Sequence, residues 1–162
     1  MDQKILIFKI LIFFYLIIFC FNAFSLEIIK GKAKVIDGDT IHIGKNKNRL
    51  HVIDAPEINQ NCFVDNKKWL CGKQSANALI NLINLKKVEC HSIDKDKYNR
   101  DIANCYVYKI KINKYMVKNG WAISYRYYSL KFVKEEETAR KNKLGVWRGD
   151  FEDPYIFRKK NK

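Results

Sequence analysis

Residues 32–57 read KAKVIDGDTIHIGKNKNRLHVIDAPE, and the alternation of apolar and polar side chains in this stretch decides the fold. The alternation predicts three short strands, at residues 32–36, 40–43 and 49–53. Asp37-Gly38 is a tight-turn pair between the first two strands, and residues 44–48 form a polar turn before the third. Because side chains alternate along a strand, we expect Leu50 and Val52 on one face of the third strand, opposite Arg49 and His51.

Outward from this stretch, the chain supplies two more strands and several helices. Residues 54–72 are expected to form a long loop. Residues 73–85 are expected to form an amphipathic helix, because Ala76, Leu79, Ile80 and Ile83 recur at helical spacing. The other predicted elements are strands at 87–93 and 101–108, helices at 114–119 (ended by Gly120) and 131–143, and a polar, loosely held tail at 148–162. This order predicts an α+β, mainly β fold: a small closed five-stranded barrel with about three packed helices.

Length, composition and charge limit what the protein can be. The 162 residues suggest one domain, and 48% hydrophobic residues exclude global disorder. Lysine and arginine number 31 against 17 acidic residues, which gives a net charge of +14. So large an excess in so small a protein predicts a polyanionic partner, either nucleic acid or an acidic membrane surface.

The first 25 residues differ from the rest. Lys4 and Lys9 precede an unbroken apolar run, ILIFFYLIIFCF, at residues 10–21, and Ala23-Phe24-Ser25 follows it. A basic start, an apolar run and small residues before the cut are typical of a secretory signal peptide. We therefore predict cleavage after Ser25, a mature domain at 26–147, a tail at 148–162, and a secreted or periplasmic protein. The alternative is an uncleaved membrane anchor.

The mature chain keeps four cysteines, and an even number in an exported chain suggests two disulfides. If the two later strands form a hairpin centred in the polar stretch 94–100, three pairs of residues lie opposite each other: Val88 and Val107, Cys90 and Cys105, and Ile93 and Ile102. A directly opposed pair is close enough to bridge, so we expect Cys90–Cys105, and Cys62–Cys71 then follows by default. Zinc is the alternative, although no C-x-x-C or His-rich spacing supports it.

Three carboxylates follow the predicted strands. Asp39 comes after the Asp37-Gly38 turn, Asp54 ends the third strand, and Glu57 lies three residues further along. If these strands are neighbours in a barrel, the acids converge at one end. Clustered carboxylates without His or Cys favour a hard cation such as Ca²⁺ or Mg²⁺. The alternative is local, because Asp-Gly is an ordinary turn and Asp-Ala-Pro-Glu an ordinary strand exit.

Two arginines have positions from which they could reach the same end of the barrel. Arg49 points away from the apolar face of its strand, and Arg100 lies where the hairpin loop re-enters the last strand. Guanidinium groups are planar forks that suit phosphate oxygens. Two arginines beside three carboxylates would form a phosphodiester site, in which a carboxylate activates water and the cations stabilise the charge at phosphorus. Taken singly, each arginine is an ordinary surface residue.

Aromatic residues alternate with the basic ones. Tyr98 lies between Lys97 and Arg100, and Tyr125 and Tyr128 flank Arg126. Aromatic rings beside a cationic groove stack on exposed bases. We therefore expect at least one of these tyrosines to contact base or phosphate, and the alternative is that several belong to the core.

The sequence resembles the staphylococcal-nuclease-like (thermonuclease) family from about residue 32 to residue 147. Four blocks in the same order carry the resemblance: VIDGDT at 35–40, RLHVIDAPE at 49–57, DKYNR at 96–100 and KLGVW at 143–147. The four cysteines resemble a secreted bacterial branch of that family. The resemblance implies an OB-type barrel with three helices and Ca²⁺-dependent cleavage of DNA and RNA.

The resemblance also implies roles for individual residues. Asp39 and Asp54 match the carboxylates that bind calcium, and Ala55 matches a position that offers its backbone carbonyl to the metal. Arg49 and Arg100 match phosphate-binding arginines.

Glu57 matches the glutamate usually assigned as the general base for the attacking water, and Lys97 and Tyr98 match a phosphate-contacting pair. The family breaks the P–O5′ bond and leaves 3′-phosphate ends.

These expectations predict one function and leave one alternative. The function is an exported, Ca²⁺-dependent, sugar-nonspecific endonuclease that acts on single-stranded or flexible DNA and RNA, as a monomer and with no protein partner implied. The rival is an OB module, exported or membrane-anchored, that holds nucleic acid without cutting it. The intact set of acids and arginines favours the enzyme.

Overall fold

The computed structural model describes residues 27–161. The predicted signal peptide and its cleavage point after Ser25 lie outside the described residues. Within residues 27–161, no helix is long and apolar enough to cross a membrane.

The described part contains ten strands and four α-helices. The strands are β1 (Ile28–Val35), β2 (Thr40–Ile43), β3 (Asn46–Leu50), β4 (Ile53–Asp54), β5 (Cys62–Val64), β6 (Lys67–Trp69), β7 (Lys87–Lys95), β8 (Asp101–Val107), β9 (Ile110–Lys111) and β10 (Ile123–Ser124). The helices are α1 (Cys71–Ile83), α2 (Ile112–Lys118), α3 (Val133–Lys141) and α4 (Pro154–Lys160), with a 3₁₀ turn at Gly145–Arg148.

Five strands close into a barrel. They are hydrogen-bonded in the order β3-β2-β1-β7-β8, and a parallel pairing of β3 with β8 completes the circle. Closure removes the free edges that would otherwise be open to pairing with another chain. The predicted α+β, OB-type barrel is therefore confirmed.

The core fills the barrel and the space under α1 and α2. Ile41, Leu50, Val88 and Val107 point inward from the strands and are at most 1% exposed. Along β8, buried and partly exposed residues alternate strictly, as expected for a strand with one face on a core. The helices contribute buried side chains to the same core, including Leu79, Ile83, Met116 and Val117.

The third predicted strand is interrupted. β3 ends at Leu50, Val52 adopts a left-handed φ of 55°, and the chain resumes as β4, which pairs with β10. A β-branched residue rarely adopts this conformation, so the surrounding structure must impose it. Leu50 and Val52 are buried and Arg49 and His51 partly exposed, as expected. The continuous strand predicted over 49–53 is wrong, because it breaks after Leu50 and resumes at Ile53.

The predicted loop at 54–72 contains a hairpin. β5 and β6 are joined by Asp65 and Asn66, whose φ values of 49° and 59° form a tight turn. The following helix, α1, begins at Cys71 and ends before the left-handed Asn84, two residues earlier than expected. On this helix Ile80 is 49% exposed, so its assignment to the apolar face is wrong.

The β7–β8 hairpin and both disulfides are confirmed in most details. Cys90 lies opposite Cys105 and Val88 opposite Val107. The bonds Cys90–Cys105 and Cys62–Cys71 join residues whose Cα atoms are 4.1 and 5.6 Å apart. The expected pairing of Ile93 with Ile102 is wrong, because a bulge between residues 92 and 94 brings Asp94 opposite Ile102.

The prediction that residues 148–162 form a loosely held tail is wrong for the described residues 148–161. Asp150 pairs with Phe63 of β5, and α4 follows, with Asp153 as its N-cap and Pro154 in its first turn. The aromatic pair Trp147–Phe151 packs against the Cys62–Cys71 disulfide. The C-terminal segment is therefore part of the folded domain.

Candidate active site

A single arginine joins two of the predicted acids. Arg49 on β3 donates from Nη1 to Asp39 Oδ1 (2.8 Å) and from Nη2 to Asp54 Oδ1 (2.7 Å). Asp39 follows β1 and Asp54 ends β4, so three separate segments meet here. Asp39 and Asp54 are 3% and 0% exposed. The predicted convergence of acids at one end of the barrel is what the structure shows.

Asp39 is held by further hydrogen bonds. Thr40 Oγ1 donates to its Oδ1 (2.9 Å), and the backbone N–H of Ala55 donates to its Oδ2 (3.0 Å). Ala55 is itself buried directly beside Asp54. Ala55 therefore lies at the carboxylate cluster, as its predicted role requires, and the role of its carbonyl stays a prediction.

Burial is the main influence on the pKa values of Asp37 and Asp54 at this end of the barrel. Burial, reinforced by the charge of Asp39, raises the pKa of Asp37 to about 7. Burial also raises the pKa of Asp54, although the Arg158 and Arg49 guanidiniums oppose the shift. Burial alone would lower the pKa of Arg49, but the charges of Asp39 and Asp54 raise it above its usual value.

Glu57 lies next to this cluster and meets an arginine that the sequence patterns did not reveal. Arg158 on α4 donates from Nη1 to Glu57 Oε1 (2.9 Å) and to Asp54 Oδ1 (2.9 Å), and from Nη2 to Asp54 Oδ2 (2.9 Å). The available signal was the pair Asp153-Pro154, which is a typical start of a helix. That signal predicts α4 but does not indicate where the helix packs.

Arg100 joins the site through the β7–β8 loop. Its Nε donates to Asp96 Oδ2 (2.7 Å), and its Nη1 lies 3.5 Å from Thr40 Oγ1. Because Thr40 donates to Asp39, Arg100 is connected to the acids through one hydroxyl group. Asp96 holds the guanidinium in place while leaving it on the groove wall.

An open groove of about 1110 Å³ runs over the acidic end of the barrel. The predicted catalytic and substrate-binding residues all line it, namely Arg49, Glu57, Lys97, Tyr98, Arg100, Tyr125 and Tyr128. The structure adds Tyr155, Arg158 and Lys159 from α4.

The tyrosines of the groove are available to a ligand. Tyr98 is 61% exposed, with Lys97 Nζ 5.2 Å from the centre of its ring. Tyr128 is 66% exposed and meets Tyr125 edge to face, with the ring centres 4.9 Å apart. Exposed rings beside cations are suited to stacking on bases.

The residues present suit a hard cation. Two buried carboxylates, Asp39 and Asp54, share one cation in Arg49, and their oxygens are the donor type that Ca²⁺ and Mg²⁺ prefer. Burial raises the pKa values of Asp37 and Asp54, and a bound cation would favour their charged forms. Within residues 27–161, no three His, Cys, Asp or Glu side chains are grouped so that they could hold a metal ion.

Comparison with known proteins agrees with this geometry. The family model described as staphylococcal nuclease homologue matches residues 47–149. An uncharacterized endonuclease of Haemophilus influenzae is 34% identical over 121 residues, which cover 70% of this chain and 63% of that protein. The micrococcal nuclease of Shigella flexneri is 27% identical over 147 residues, covering 80% and 79% of the two chains.

A relative with a different kind of name is equally similar. The succinoglycan biosynthesis protein ExoI of Rhizobium meliloti is 33% identical over 132 residues, which cover 78% of this chain and 69% of that protein. The match to the family model spans more than half of the chain, from β3 to the end of the 3₁₀ turn. The chain belongs to the staphylococcal nuclease family.

Proposed function

We propose that this protein is an exported, Ca²⁺-dependent nuclease that hydrolyses phosphodiester bonds in both DNA and RNA and leaves 3′-phosphate ends. The observation that carries the proposal is the arrangement around Arg49, which joins two buried acids while facing a groove that Glu57 and Arg100 also line. The nuclease names of several relatives support it.

The chemistry follows from where these groups lie. Arg49 and Arg100 bind the scissile phosphate, and Glu57 accepts a proton from the attacking water. The water oxygen bonds to phosphorus and the P–O5′ bond breaks. The leaving 5′ oxygen takes a proton from solvent water, and Glu57 returns to solvent the proton that it accepted. Asp39, Asp54 and the carbonyl of Ala55 would hold the Ca²⁺, which supplies positive charge to the phosphate when bound.

The groove favours a flexible strand over a specific sequence. Lys97 and the arginines contact phosphate, and Tyr98, Tyr125 and Tyr128 offer ring faces to whichever base is present. The net charge of +14 attracts the backbone without reading bases, so binding weakens steeply with salt. Single-stranded DNA and RNA are the expected substrates.

Export is proposed from two features. The basic and apolar start of the chain is typical of a signal peptide, and two disulfides are typical of an oxidising compartment. We place the mature protein outside the cell or in the periplasm.

The experiment is a digest by the oxidised protein of single-stranded DNA, duplex DNA and RNA, each with Ca²⁺ or with a calcium chelator. The proposal predicts cleavage of both nucleic acids that requires Ca²⁺ and is fastest on single strands. A folded protein that binds these strands but cuts none of them would contradict it, and would favour the non-catalytic binding module.

A further inference from the structure

We propose that Arg158, on the C-terminal helix α4, is a positioning residue that holds Glu57 at a fixed place beside Asp54. In this proposal α4 contributes a residue that the reaction requires. This inference rests on the proposed function, because it assigns Arg158 a task in that reaction.

The contacts fix the two carboxylates relative to each other. Nη1 of Arg158 lies 2.9 Å from both Glu57 Oε1 and Asp54 Oδ1, and Nη2 lies 2.9 Å from Asp54 Oδ2. A guanidinium is a rigid planar fork, so carboxylates that bind it cannot shift independently. Among residues 27–161, Arg158 alone forms a hydrogen bond or ion pair with the Glu57 carboxylate. The Glu57 side chain is 30% exposed, and without Arg158 it would be free to rotate.

The backbone of Glu57 is tied to the same C-terminal segment. The side-chain oxygen of Gln60 accepts from the Glu57 N–H (3.1 Å), and the side-chain nitrogen of Gln60 donates to the carbonyl of Glu152 (2.7 Å). Gln60 is fully buried. Glu57 is therefore connected to the start of α4 through its backbone and to the body of α4 through its carboxylate.

The two arginines at Asp54 have different tasks. Arg49 bridges Asp39 and Asp54 and lines the groove, so it can exchange an acid for the phosphate of a substrate. Arg158 contacts Asp54 and Glu57, and it keeps the two carboxylates in the same relative position while Arg49 moves. One arginine thus binds the substrate and the other holds the groups that act on it.

A positioning role predicts a particular pattern in Arg158→Ala. Turnover falls because Glu57 is no longer held against the attacking water, and displacements of about 1 Å cost on the order of 100-fold. KM changes less than kcat, because Arg49, Arg100 and the tyrosines of the groove remain in place. Ca²⁺ binds as tightly as before or more tightly, because a positive charge beside the carboxylates has been removed.

The test compares Arg158→Ala with Arg158→Lys and with Lys160→Ala, which removes the same charge from the same helix outside the groove. We would measure kcat and KM on a single-stranded oligonucleotide, Ca²⁺ affinity by calorimetry without substrate, and the melting temperature. We expect kcat to fall about 10- to 100-fold in Arg158→Ala, with partial recovery in Arg158→Lys or on adding millimolar guanidinium. Lys160→Ala should match the wild type.

Three results obtained with an active wild type would overturn the inference by itself. Unchanged turnover in Arg158→Ala would mean that Glu57 needs no support, and raised turnover would mean that α4 obstructs the site. Parallel losses of kcat, Ca²⁺ affinity and melting temperature would mean that Arg158 only stabilises the fold. If the wild type cuts no nucleic acid, the proposed function fails and this inference fails with it. The inference about Arg158 can fail while the proposed function stands only if the wild type cuts nucleic acid.

Discussion

The candidate active site has two parts that differ in how they are built. The strand part holds Asp39, Asp54 and Arg49, which lie within 15 residues of one another in the sequence. The two acids are buried at the end of the barrel, and Arg49 is partly exposed to the groove. The helical part holds Arg158, which lies 104 residues after Asp54 and reaches it from the surface. One part is fixed by the closed sheet, and the other depends on how a short segment docks.

The difference has an energetic consequence. The strand part shares the core and the closed hydrogen bonding of the barrel, so it opens only when the domain unfolds. α4 has seven residues and is too short to be stable alone. Its N-cap, Gln60 and Arg158 hold it in place. We therefore expect the helical part to respond to small changes that leave the strand part intact.

The largest effect is expected from Glu57→Gln, which keeps the shape of the side chain but removes the proton acceptor. Turnover should fall about 10²- to 10⁴-fold, while nucleotide binding stays within a few-fold of wild type. Single-turnover cleavage and fluorescence titration would measure the two quantities. Cleavage at the wild-type rate would show that Glu57 does not act as the proton acceptor and only lines the groove.

Removing each disulfide in turn should destabilise a different part of the molecule. Replacing Cys90 and Cys105 by serine removes a crosslink between the neighbouring strands β7 and β8 and should cost about 3 kcal/mol of unfolding free energy. Replacing Cys62 and Cys71 loosens the hairpin that pairs with Asp150, so the loss should be concentrated in the C-terminal segment. Denaturant unfolding combined with hydrogen exchange would check both. If both double variants lose the same amount of protection from hydrogen exchange in β8 as in α4, the two parts do not differ in stability as proposed.

A milder change should act on the helical part alone. Asp153→Ala removes the carboxylate that accepts from the N–H groups of Tyr155 and Ile156, and a lost N-cap costs about 1 kcal/mol. Amide exchange in α4 should speed up about five-fold, with exchange in β7 and β8 unchanged. Thr138→Ala, on the exposed face of α3, is the control. Faster exchange throughout the barrel would show that the two parts are not independent.

The smallest effect is expected at the rim of the groove. Lys97→Ala should lower the slope of log K against log salt by about one, because one phosphate contact is lost, with little change in kcat. Lys45→Ala, in the exposed turn between β2 and β3, should leave the slope unchanged. Binding titrations at several salt concentrations would measure this, and equal slopes for all three proteins would remove Lys97 from the binding surface.

The strand part could be predicted from the sequence because its signals are local. Alternation and the Asp37-Gly38 turn indicated β1 and β2, and the closed barrel then brought Asp39, Arg49 and Asp54 together. Cross-strand register predicted the Cys90–Cys105 bond for the same reason. A periodic pattern could not show the left-handed turn at Val52 or the bulge before Asp94, because each is imposed by packing around one residue.

The helical part could not be predicted in the same way. Residues 148–162 are polar and carry no strong apolar stripe, so their composition indicated a tail. What holds α4 in place is a set of specific contacts with distant residues: Phe63, Gln60, Asp54 and Glu57. Polar contacts of this kind depend on the finished barrel and leave no periodic signal in the segment that makes them.

The most direct test of the account is to identify the ends that cleavage produces. A defined single-stranded oligonucleotide would be cut in ¹⁸O-labelled water with Ca²⁺, and the fragments would be weighed by mass spectrometry. The account predicts 3′-phosphate ends that carry one ¹⁸O atom, 5′-hydroxyl ends without label, and no products from Glu57→Gln over the same time. Label on a 5′-phosphate, or cleavage that persists with a calcium chelator, would contradict it.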